Sequence, residues 1–152
     1  MGATKKGRPV HENRFSKRAH AACVYFGIQS LLGLVWWTGM TVWPEFARYF
    51  FSEATAQTDI NTFALADSIW FVALSGVLSF AIWRRLRISI PISWALFGAI
   101  GYAFFCCLGM LVNGGPWLSV ILMFGSWMGT LYFVQSISPI PDCFEFSVIQ
   151  RN

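Results

Sequence analysis

Four apolar stretches, at residues 20–43, 62–83, 90–112 and 117–137, are each about 20 residues or longer. At 1.5 Å per residue, a helix of that length covers the roughly 30 Å hydrocarbon core of a bilayer. Lipid offers backbone amides no water to bond, and four strands cannot close a barrel, so the stretches must be helical. The expected fold is an all-α membrane protein, a four-transmembrane-helix bundle. Residues 1–19 then form a basic cytoplasmic tail, residues 20–137 the membrane domain and residues 138–152 a cytoplasmic C-terminal tail. Composition agrees with this class: 56% of the residues are hydrophobic and only 12% charged, too greasy for a soluble domain of this size.

Helix stops fall where the bundle needs them. Pro44 follows the first span, Asn113-Gly114-Gly115-Pro116 separates the third from the fourth, and Pro139 with Pro141 ends the fourth. The first apolar run is far longer than the core of a cleavable signal, so it is read as a retained span. Lys6 stands where a myristoylation signal needs Ser or Thr.

Basic residues set the orientation. The N-terminal tail carries Lys5, Lys6, Arg8, Arg14, Lys17 and Arg18, and the connection between spans two and three carries Arg84, Arg85 and Arg87. The other two connections hold Arg48 against Glu45, Glu53 and Asp59, and no charge at all. Both termini are therefore expected in the cytoplasm, with a bacterial inner membrane or plasma membrane as the default location. The net charge of +4 sits at the ends of the apolar stretches, which points to lipid headgroups as the partner and away from nucleic acid.

Between the first two spans, Phe46, Tyr49, Phe50 and Phe51 share one side of a short helical pattern, with Glu45, Arg48 and Ser52 on the other. This predicts a short outer interfacial helix begun by Pro44; a lid over an outward cavity is the alternative. For packing, the four-residue spacing of Ala95, Ala99, Ala103 and Cys107, and the pair Gly125 and Gly129, predict a close seam between spans three and four. Dimerisation through the two glycines is the other use of that spacing.

Asp67 breaks the apolar rule inside the second span, and an unpaired carboxylate there is costly. Three states satisfy this: a neutral carboxyl, since desolvation disfavours the charged form; an ion pair with Arg48; or a place near the headgroups, if the span begins later. Trp36, Trp37, Cys106 and Cys107 fall at a similar depth, and Trp70 lies one turn along from Asp67. Asp67, Trp70, Trp36, Trp37 and Arg48 are the candidate ligand or proton site. Ser68, Ser75 and Ser79 either line a route from Asp67 toward Arg84 or bond their own helix carbonyls, the commoner case.

Catalytic chemistry has little foothold. Cys106 and Cys107 are adjacent, so their side chains diverge on a helix, and no C-x-x-C occurs. His11 and His20 have no indicative partner, and no hydrolase, metalloprotease or phosphate-loop motif appears. No cofactor or metal is expected, and an enzyme is disfavoured. The C-terminal tail, with Phe144, Phe146, Val148 and Ile149, alternates in a way that suits a strand added to a partner or a fold against the membrane. Spans one and three, and two and four, lack the matching polar positions of an internal repeat.

Three functions fit. An accessory or scaffold subunit, packed against a membrane-protein partner or a second copy, needs the fewest assumptions. A proton- or cation-coupled small transporter, or a subunit of one, would use Asp67. An outward-facing lipid or quinone binder, or a membrane enzyme, would use the aromatic residues around it.

Overall fold

The computed structural model describes residues 10–47, 49–51 and 57–138, with side chains at 17–43, 45–46, 49–51 and 61–138. Helix α1 runs Val10–Val42, a single turn α2 Pro44–Ala47, and α3 Gln57–Asp67. A π-helical segment, Ser68–Ala73, continues α3 without a break into α4, Leu74–Trp83. Helices α5, Ser89–Val112, and α6, Trp117–Ile137, complete an all-α bundle of four long rods. Among the described residues, four segments are long and apolar enough to cross a membrane: Lys17–Val42, Asn61–Trp83, Ser89–Val112 and Trp117–Ile137. The chain is a small multi-pass membrane protein, and its apolar outer surface is the one lipid requires.

Both tight turns between the later rods end in the same capping pattern. After α5, Gly115 N–H bonds the Met110 carbonyl at 2.8 Å and Gly114 N–H the Leu111 carbonyl at 3.0 Å, with Gly114 at φ 84°. Glycine suits that left-handed position because it has no Cβ to clash. After α4, Leu86 N–H bonds the Ala81 carbonyl and Arg85 N–H the Ile82 carbonyl, so Arg85 takes the left-handed place at φ 56°. An arginine there accepts backbone strain that glycine would avoid, and it keeps a positive charge at the membrane edge. Next to it, the Arg84 guanidinium lies 5.5 Å over Phe80 and 5.1 Å over Trp83, as cation–π contacts.

Around the bundle the order is α1, α4, α5, α6. The most extensive contacts join α1 to the π segment and α4, and α5 to α6; the seams α4–α5 and α6–α1 are thinner. Toward the arginine end the four rods close on Phe26, Leu78, Ile82, Leu96, Ile100 and Ile137. At the far end a smaller cluster gathers Trp37, Met40 and Phe50. The bundle is thus two hairpin-like halves, fused at one end and spread toward the other.

The seam between spans three and four is not the one the small residues predict. It is aromatic: Trp127 of α6 stacks on Phe97 at 5.5 Å and Phe104 at 5.4 Å, and meets Phe105 edge-on at 5.8 Å. Gly101 gives the ring its space, since a Cβ there would stand 2.8 Å from the indole nitrogen. With phenyl rings on both faces the indole has nowhere to move. Gly101→Leu is therefore expected to destabilise the bundle by roughly 1–3 kcal/mol, read as a lower thermal midpoint in detergent; an unchanged midpoint would refute this packing.

Close backbone approach occurs instead between α1 and the second rod. Gly27 faces Ser79, Gly76 faces Ser30, and Gly33 receives Phe71 and Val72, where an added Cβ would lie 2.8 Å from Val72 Cγ2. Small residues with polar side chains are the expected glue in lipid. Ser79 Oγ donates to the Cys23 carbonyl at 2.8 Å, and Gln29 Nε2 donates to Ser75 Oγ at 3.3 Å. Ser75 and Ser79 thus bond across to α1 and not to their own helix, because α1 presents its carbonyls and Gln29 at contact distance.

Candidate functional site

Where the two halves spread, they enclose a partly open cleft of about 1520 Å³, walled by all four rods. Asp67, Trp36, Trp37 and Trp70 line it, so four of the five candidate site residues share one cavity. Arg48 lies outside the described residues. Trp37 is buried and Trp70 is 56% exposed, so the indoles present one sealed and one open wall. Cys106 and Cys107 also line the cleft, and Cys107 lies within electrostatic reach of Asp67.

Asp67 is the last residue of α3 and lies within the apolar segment Asn61–Trp83. Its carboxylate makes no hydrogen bond or ion pair among the described residues, and it opens into a wall that is otherwise nearly all apolar. A carboxylate in that position attracts a cation strongly, because little water is present to screen it. The aromatic faces beside it suit the same guest.

The π segment begins at the residue after Asp67. Its wider turn changes the angular register between Asp67 and α4, so it decides which way the carboxylate faces. A wide turn in lipid needs outside hydrogen-bond support. Ser30 of α1 supplies it, donating its hydroxyl to the Val72 carbonyl at 2.8 Å. Ser30→Ala is expected to cost about 1 kcal/mol and lower the thermal midpoint in detergent; no change would show that the segment stands without this bond.

The connection after α1 contributes the far wall. Among the described residues it forms one helical turn, Pro44–Ala47, and a turn at Tyr49 and Phe50, with no longer interfacial helix. Phe46 and Phe50 turn back onto Trp36, with ring centroids 5.9 and 4.0 Å away, and Phe50 is only 6% exposed. Ser119 Oγ of α6 fixes this fold by donating to the Phe50 carbonyl at 2.8 Å. Burying the Phe50 ring against Trp36 outweighs laying the segment flat.

The small residues predicted for packing have another place. Ala95, Ala99, Ala103 and Gly125 line the cleft, and nothing lies within 4 Å of a Cβ added to Gly125. Gly129 packs beneath Tyr25 of α1, whose hydroxyl donates to the Ser126 carbonyl at 3.1 Å. Arg84, Arg85 and Arg87 stand at the α4–α5 turn, away from the cleft.

Sequence reasoning passed over Gln29, which is 6% exposed and also lines the cleft. The available signal was its amide within an apolar run, a costly group to place in lipid. Among the described residues, no cluster of three or more His, Cys, Asp or Glu is placed to hold a metal ion. Compared with protein-family models, with curated proteins and with solved structures, the chain matches none.

Proposed function

We propose that this membrane protein binds an amphipathic molecule with a cationic head, seating the charge on Asp67 and the apolar body along the cleft. The observation that carries the reading is a carboxylate without a partner among the described residues, opening into an apolar, aromatic-walled space. Size supports the same occupant. At about 1520 Å³ the cleft exceeds the roughly 300–1,000 Å³ of ordinary small-molecule sites. A spanning helix about 10 Å wide and 30 Å long fills about 2,400 Å³, more than the cleft offers. A scaffold subunit holding a partner's helix there is therefore the weaker reading, although the small residues Ala95, Ala99 and Ala103 would admit one.

Cation transport is the second reading, favoured by the thin seams α4–α5 and α6–α1 between two well-packed halves. Rigid halves joined weakly are able to rock about a fixed site, and Asp67 would be that site. In either case Arg84, Arg85 and Arg87, with the basic N-terminal tail, favour a cytoplasmic placement of both termini in a bacterial inner or plasma membrane. The single turn α2 and Phe50 would then sit at the outer headgroup level.

Titration of the full chain in nanodiscs tests the reading, with decylamine compared with decanol and the indole fluorescence of Trp36, Trp37 and Trp70 as the signal. An alkylamine is protonated at neutral pH, as lysine is. The ammonium form is expected to bind at least about tenfold more tightly than the alcohol after subtraction of empty nanodiscs. Equal binding of the two would overturn the proposal.

A further inference from the structure

Beside Asp67 the cleft has a mouth that faces the bilayer. Phe97, Gly101 and Phe104 meet Trp127 and so mark the side of α5 turned to α6. At about 100° per residue, Ala95, Ala99, Tyr102 and Cys106 fall on the other side, toward the second rod. On that rod Val72 meets Gly33 of α1, so Trp70, two residues earlier, stands about half a turn away, on the α5 edge. All of these α5 side chains line the cleft together with Trp70, yet Trp70 is 56% and Tyr102 73% exposed. A side chain that belongs both to a cavity wall and to the outer surface marks an opening. Cys107, next to Cys106, lies within electrostatic reach of Asp67, which puts the carboxylate at the level of this opening.

The rim of this opening suits a charged head on its way through hydrocarbon. Tyr102 lies near the middle of α5, Ser89–Val112, whereas a tyrosine in a span ordinarily sits at the headgroup level. Its phenol and the Trp70 indole offer π faces and polar groups at a depth where lipid offers a cation neither. At the end that bears the connection after α1, Phe46 and Phe50 fold over Trp36 and Ser119 holds the Phe50 carbonyl, so that end is covered. A second mouth, between α6 and α1, has the exposed aliphatic side chains Leu32, Val35 and Leu122 on its rim. We infer that the guest is a long-chain amine dissolved in the bilayer, which enters sideways between Trp70 and Tyr102 until its ammonium meets Asp67. Its chain then lies along the low wall of Ala95 and Ala99. This rests on the cation reading of Asp67 and adds the route, and with it the class of guest: amphiphiles taken from lipid.

The test follows decylamine binding to the full chain in nanodiscs by stopped-flow indole fluorescence. A residue in a doorway alters arrival and departure alike, because the guest passes it in both directions; a residue of the seat alters the equilibrium. Cys106→Phe, which narrows the opening, is expected to slow both rates by about tenfold while Kd stays within about threefold. Tyr102→Leu keeps the bulk and removes the phenol, and is expected to slow both rates by about fivefold. Leu32→Phe, at the second mouth, is expected to leave both within about twofold. Should decylamine bind with rates that neither Cys106→Phe nor Tyr102→Leu slows, or that Leu32→Phe slows instead, the route is overturned and the cation reading stands. A change in Kd without matching changes in both rates also counts against the route. If Cys106→Phe does not fold, Tyr102→Leu, at an exposed position, decides the matter. Should decylamine fail to bind the wild-type protein, the cation reading is lost and the route with it.

Discussion

Asp67→Asn is expected to weaken the binding of decylamine by about two to three orders of magnitude, with the helical content and thermal midpoint of the protein little changed. Asparagine keeps the volume and a hydrogen-bonding oxygen, so the cleft keeps its shape and loses only its charge. Removing one partner of a buried ion pair costs about 3–5 kcal/mol, because the other charge is left in a medium that solvates it poorly. A carboxylate lying in the headgroup layer would behave as an exposed pair instead, worth about 0–1 kcal/mol, or less than about sixfold. The size of the effect thus separates the two placements of Asp67. Fluorescence titration of wild type and variant measures it, and a loss of fivefold or less would sink the view that this residue is the cation's counter-charge. Decanol serves as the control, since its binding does not depend on the charge.

Inserting one alanine between Asp67 and Ser68, at the start of the π segment, is expected to abolish decylamine binding as completely as Asp67→Asn does. A π-helical turn holds more residues than an α-helical one, so the segment already absorbs one extra residue between the rods that flank it. A further residue turns everything before the insertion by about 100° relative to α4, the angle one residue subtends on an α-helix. Asp67 would leave the cleft wall for a seam or for lipid, while Ser75 and Ser79 keep their bonds to α1. The expected variant is a folded bundle without its cation site. Circular dichroism and the thermal midpoint establish the first part, and titration the second. Retained binding in a folded variant would show that the angular register of the rod does not aim Asp67.

These two expectations divide along the line between what local sequence specifies and what it does not. The long rods are legible because hydropathy is a property of each stretch alone. A run of apolar residues must be helical in lipid whatever it packs against, and residues 62–83 and 90–112 fall within a residue of Asn61–Trp83 and Ser89–Val112. The stops are legible for a similar reason, since Gly114 admits the left-handed turn and Pro116 fixes its own φ, both locally. Asp67, Trp36 and Trp37 stand out because polar and indole groups are conspicuous in such runs. Gln29 was equally conspicuous in type, but its free oxygen follows from a bond to Ser75, 46 residues away.

Seam choice is where spacing alone misleads. Ala95, Ala99 and Ala103 recur every four residues as a packing face should, yet that face lines the cleft, while Gly27 meets Ser79, Ser30 meets Gly76 and Gly33 meets Phe71 and Val72. Small-residue spacing says that a helix is able to approach another closely. It does not say which other helix arrives, because Trp127 and its three phenylalanines hold α5 and α6 together through a different face.

By itself, then, the amino-acid sequence determined that the chain crosses the membrane as four helices, where the rods stop, and that one carboxylate lies within them. Tertiary structure alone decided that Asp67 and Gln29 share a cleft, that the π segment aims the first of them, and that Phe50 folds back over Trp36. The physical reason is range: desolvation of the backbone acts on each residue separately, whereas a cleft exists only where distant helices fail to fill the space between them.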